Sequence, residues 1–130
     1  AAKKAASGTN LEFLAVSVLT SWDKKDLEYI GIDNSVNDQV KLLIKLACEA
    51  KLSGIIASGQ DIALARKISK EIKIFCPGIR GNQNFQDQKR TLSYKEFNAI
   101  ADEKCFAVIG RPIYEGNPLE NIKNIINSIN

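Results

Sequence analysis

An α/β fold on a parallel sheet is what this sequence predicts, and three observations carry the prediction. Short apolar runs alternate four times with amphipathic helical segments. The runs are continuously hydrophobic, as strands covered by crossover helices are. Two of them end in a glycine and an arginine, at Pro77-Gly78-Ile79-Arg80 and at Gly110-Arg111. Parallel α/β proteins bind their ligands there, beyond the carboxyl ends of the strands.

Taken in order, Ala1–Gly8 is rich in Ala and Lys and reads as the last turn of a helix. Leu11–Leu19 predicts the first strand. Trp22–Ile30 starts a short helix with Asp23 among its first residues. Ser35-Val36-Asn37-Asp38 has the form of a capping box and opens a long helix, with Val36, Val40, Leu43, Ile44 and Ala47 on its apolar face. Gly54–Ser58 is the second strand, and Asp61–Lys70 a helical unit with Ile62, Ala65 and Ile68 inward. Lys73–Cys76 is the third strand, after which Pro77-Gly78 breaks the pattern and a polar loop runs to Arg90. Ser93-Tyr94-Lys95-Glu96 is a second capping box, for a helix over Tyr94–Ala101. Cys105–Ile109 is the fourth strand. Asn117-Pro118 sets a capping residue before a proline at the first helical position, and the final helix runs to Ile129.

The 130 residues, 45% hydrophobic and 25% charged, suit one globular domain spanning the whole chain. The net charge of +3 is mild and dispersed, which argues against a nucleic-acid partner. No apolar run approaches membrane-spanning length and Ala1–Gly8 is too polar for a signal peptide, so no membrane partner and a cytoplasmic location are expected. Cys48, Cys76 and Cys105 are odd in number and widely spaced, the pattern of plain buried thiols in a reducing compartment. With no histidine, Ser-His-Asp and Cys-His catalysis and most zinc sites are excluded. Methionine is absent too, so the chain as it stands has no initiator.

Each candidate site residue has a plain alternative. Gly110 lets an anion approach the backbone and Arg111 supplies charge-assisted hydrogen bonds; the alternative is a turn glycine and a surface arginine. Arg80 and Gln88 flank a loop of Gly81, Asn82, Gln83, Asn84 and Gln86 that either is merely solvated or folds over a phosphate as a lid, Gln88 donating from its amide. Thr20 and Ser21 end the first strand and either cap the next helix or bond a ligand. Asp23-Lys24-Lys25-Asp26 looks catalytic but lies within one helical turn, with side chains in different directions; it reads as a solvated helix start.

Four βα units are half of an eightfold barrel, which needs about 250 residues and rarely fewer than about 200. Periodicity leaves two architectures open, a small open α/β sheet or an incomplete barrel. Four segments resemble the later strand ends of the orotidine 5'-phosphate decarboxylase family: Val18-Leu19-Thr20-Ser21, Pro77-Gly78-Ile79-Arg80, Asp87-Gln88-Lys89-Arg90 and Ile109-Gly110-Arg111-Pro112-Ile113. They stand in that family's order and close to its spacing. The resemblance implies the C-terminal half of a TIM (β/α)8 barrel and a homodimer when complete. It further implies decarboxylation of orotidine monophosphate to UMP without a cofactor. Thr20 would bond the pyrimidine, and Arg80, Gln88, Gly110 and Arg111 the 5'-phosphate. The family's catalytic Asp-x-Lys-x-x-Asp segment is not found in this chain, so the N-terminal half of the barrel would be its partner and this chain alone would be inactive. Two other readings remain: a stand-alone, non-catalytic nucleotide- or phosphate-binding module, and a sugar-phosphate relative sharing the Gly-Arg site.

Overall fold

A computed structural model describes residues 2–81 and 89–129. Its main sheet has four parallel strands in sequential order: β1 (Leu14–Val16), β2 (Gly54–Ile56), β3 (Lys73–Pro77) and β6 (Cys105–Val108). Two shorter strands, β4 (Ile79–Arg80) and β5 (Leu92–Ser93), form a separate parallel pair above β3. The helices are α1 (Ala2–Ala5), α2 (Lys24–Tyr29), α3 (Val36–Glu49), α4 (Ile62–Ile68), α5 (Tyr94–Ile100), α6 (Arg111–Tyr114) and α7 (Pro118–Ile129).

The register settles the architecture. Ala15, Ile55, Ile74 and Cys105 form one row across the sheet, and Cys76 with Ala107 part of the next. All of them face a core built from Leu27 of α2, Val40, Ile44 and Ala47 of α3, Ile62 and Ala65 of α4, and Phe97 of α5. The alternate row, Val16–Ile56–Phe75–Phe106, points the other way. On that face Val16 is 52% exposed, Phe106 41% and Val108 48%, and the Phe75 and Phe106 rings stack at 4.9 Å. Doubly wound sheets reverse their strand order and carry helices on both faces. Sequential order with helices on one face and an apolar row on the other is the geometry of barrel staves. The open-sheet alternative falls away, and the four units fit adjacent staves of a (β/α)8 barrel.

Local chemistry explains most element ends. Asp23 caps α2 through the amides of Lys25 (2.9 Å) and Asp26 (3.3 Å), while the Asp26 carboxylate takes the Asp23 amide at 2.8 Å, a complete capping box. Ser93 and Glu96 form another on α5. At α3 the box is partial: Ser35 accepts from the Asp38 amide, but the Asp38 carboxylate takes the Ser35 hydroxyl instead of its backbone N–H. Asn117 accepts from Glu120 at 3.4 Å ahead of Pro118.

Three expectations need correction. The strand predicted over Leu11–Leu19 narrows to three residues, because β1 is an edge strand with β2 alone beside it; its ladder ends where the Ser17 amide donates to the Ile56 carbonyl. The stretch from Pro77 to Arg90 is not all loop, since β4 pairs with β5 there, and α6 follows β6 directly. Of the three free thiols only Cys76 is fully buried; Cys48 and Cys105 are partly exposed.

Candidate functional site

At the carboxyl ends of the strands, two cavities lie side by side. One, of about 170 Å³, is lined by Val16, Val18, Leu19, Thr20 and Ser21 after β1, by Ile56 and Ala57 of β2, and by Pro77. The other, of about 260 Å³, is lined by Pro77–Arg80 after β3 and by Val108, Gly110, Arg111, Pro112 and Tyr114 after β6. Pro77 is the wall they share. Gly78, at φ +78°, turns the chain out of β3 in the left-handed conformation that glycine adopts without a steric penalty, which delivers Arg80 to the rim.

The structure thus brings Arg80, Gly110 and Arg111 to one cavity and sets Thr20 in its neighbour. Arg80 is 7% exposed and Thr20 8%, so both are held by the fold. Gly110 precedes α6, and a β-carbon there would come no closer than 3.7 Å to Tyr114, an ordinary contact. Packing does not demand glycine there, and Gly110 lines the cavity. Gln88 lies outside the described residues.

Around Thr20 the polar contacts are dense. Its carbonyl accepts from the amides of Lys89 and Arg90, both at 3.0 Å. Lys89 Nζ reaches Asp23 at 2.8 Å and Asp26 at 2.9 Å, and that bond holds the Asp23 carboxyl down at about 2. The Asp23–Asp26 segment is therefore a helix start, as the sequence suggests, but it is tied to Lys89 rather than merely solvated, and Asp23, not Thr20 or Ser21, is the cap. Arg90 pairs with Asp61, whose side chain is 3% exposed; burial pushes the Asp61 carboxyl up and the guanidinium opposes it. Ser58 Oγ donates to the Arg90 carbonyl at 3.1 Å. The sequence places Asp61 at a helix start, but its side chain makes no cap there. Pairing across 29 residues has no local period to reveal it.

The cysteines lie elsewhere. Cys76 is buried under the helices, and burial pushes its thiol up to about 12, far from a reactive thiolate. Cys105 sits against Asp102 and Arg66, the latter forked onto Asp102 and onto the Ile72 carbonyl at 2.9 Å, a packing arrangement at the opposite end of the strands.

A parallel half-barrel with an arginine-lined cavity at its strand ends defines a class, the (β/α)8 barrels. Residues 1–125 match the orotidine 5'-phosphate decarboxylase / HUMPS family, and the chain belongs to it. It is 39% identical over 125 residues to the orotidine 5'-phosphate decarboxylase of Ehrlichia canis (strain Jake), covering 95% of this chain and 54% of that protein. With the enzyme of the same name from Psychromonas ingrahamii it shares 42% over 126 residues, 94% and 53% of the two chains. The crystal structure of orotidine 5'-phosphate decarboxylase from Lactobacillus acidophilus superposes with a TM-score of 0.70 at 23% identity, over 95% of this chain and 52% of that one, a likeness of fold. The chain spans about half the length of the curated relatives it matches.

Proposed function

We propose that this chain supplies phosphate and pyrimidine recognition to an orotidine 5'-phosphate decarboxylase, which converts orotidine monophosphate to UMP and CO2 without a cofactor in pyrimidine biosynthesis. The observation that carries this reading is the pair of adjoining cavities: an arginine-lined one after β3 and β6, and a mostly apolar one with Thr20 at its wall. The first fits a phosphate and the second a base. Arg80 and Arg111 supply guanidinium donors, Gly110 gives access to the backbone, and Gln88 adds an amide donor. Thr20 bonds the pyrimidine. The phosphate grip is remote from the reacting carbon, yet its binding energy counts toward the barrier when it is realised in the transition state.

The proton donor and its carboxylates lie, on this reading, in the N-terminal half of the barrel, which also covers the Val16–Ile56–Phe75–Phe106 row. The chain is one folding domain, part of a cytoplasmic enzyme that is a homodimer when complete. The bare apolar row speaks against a stand-alone binding module, since exposed contiguous apolar surface marks an interface. The two relatives compared above, 39% and 42% identical, are both named orotidine 5'-phosphate decarboxylase, which favours this substrate over a sugar phosphate.

The test is decarboxylation of orotidine monophosphate by the purified chain, alone and mixed with a matching N-terminal half. No turnover alone and turnover on mixing are expected. Robust turnover by the chain alone would refute the division of labour, and no UMP binding in either state would refute the recognition role.

A further inference from the structure

Residues 89–93 are stitched to two other strand-end loops, and the stitching converges on Thr20. The Lys89 and Arg90 amides both donate to the Thr20 carbonyl. The Arg90 carbonyl accepts from Ser58, which is wholly buried after β2. The Arg90 guanidinium turns inward onto Asp61, with 11% of the arginine and 3% of the aspartate side chain exposed. Loops after β1, β2 and β3 therefore meet at one residue, Arg90, whose backbone holds Thr20 and whose side chain is anchored in the core.

The pair is poorly arranged for stability. Asp61 Oδ2 and Arg90 Nη1 are both buried with no hydrogen-bond partner among the described residues. Each such atom costs free energy, and a buried ion pair often contributes less than apolar residues of the same volume. A pair that adds little over apolar packing while fixing a geometry is best explained by the geometry. We propose that Asp61 and Arg90 form a positioning pair for the pyrimidine subsite, holding Thr20 through the two amides on its carbonyl without touching ligand. This rests on the reading of Thr20 as the base contact.

Two readouts on the same variant separate the clamp from that reading. In Asp61→Asn the side chain keeps its shape and loses its charge. The Lys89 and Arg90 amides are expected to lose at least about tenfold in hydrogen-exchange protection, while the Ile44 and Ile74 amides keep theirs. The dissociation constant for UMP is expected to rise at least about tenfold, with that for inorganic phosphate changed less than about twofold. Unchanged protection at Lys89 and Arg90 would overturn the clamp, as would equal weakening of UMP and phosphate. If the unaltered chain binds phosphate but not UMP, the base reading of Thr20 fails and the exchange rates alone decide the clamp. Should Asp61→Asn not fold, Arg90→Lys keeps the charge, loses the planar fork and is read the same way.

Discussion

The two faces of the same four-stranded sheet have opposite fates. One, carrying Ile55, Ile74 and Cys76, is sealed beneath α3, α4 and α5, with those three side chains wholly buried. The other, equally apolar, leaves Val16, Phe106 and Val108 about half exposed. Composition does not separate them; coverage does. Fully burying a large apolar side chain is worth about 1.5–3 kcal/mol, so the bare row holds several kcal/mol that the chain alone does not use. A sheet in this state has the bare inner face of a barrel wall.

The largest expected effect is on thiol chemistry behind the covered face. Burial raises Cys76 from an ordinary 9 to about 12, which lowers its thiolate fraction about a thousandfold at neutral pH. A thiol reagent at pH 8 should label Cys48 and Cys105 while Cys76 waits for urea. Because the folded state holds the Cys76 proton more tightly, stability is intact below pH 9 and declines from there toward 12. Fast labelling of all three thiols in the native chain would mean that the helical layer is not closed over the sheet.

The contrast sharpens with one substitution on each face. Ile74→Ala empties a core position and should cost about 2–5 kcal/mol in urea unfolding. Phe106→Ala removes a half-exposed ring stacked on Phe75 and should cost about 1 kcal/mol in the isolated chain. Equal losses would show that the bare face is covered in solution. Once an N-terminal half is bound, the cost of Phe106→Ala should climb toward that of Ile74→Ala.

How far this was legible in the sequence follows the same division between local and distant causes. The caps at Ser35, Ser93 and Asn117, and the inward positions Val40, Ile44 and Ala47, are local and readable. The resemblance singled out Thr20, Arg80, Gly110 and Arg111, and strand order then delivers them to adjoining cavities. The β4–β5 pair escaped notice because two residues are too short for any period to register. Asp61 escaped because an acid at a helix start is usually a cap, and its partner lies 29 positions away.

Lys89 and Arg90 repeat the comparison on the scale of one peptide bond. Arg90 is mostly buried against Asp61, whereas Lys89 is about half exposed between Asp23 and Asp26. Solvent screens the second arrangement, so its signature should be titration rather than stability. In Lys89→Ala the Asp23 carboxyl should rise from about 2 toward an ordinary 3.8, but stay below it, because the Lys25 and Asp26 amides still donate to it. The sign follows: the pair contributes above pH 3.8 and its contribution is lost as pH falls through 2, so parent and variant converge in strong acid. Carboxyl-carbon NMR of Asp23 in both proteins reads this directly. An unmoved titration would assign the whole depression to the helix cap and leave Lys89 with its bonds to Asp26 and to the Thr20 carbonyl.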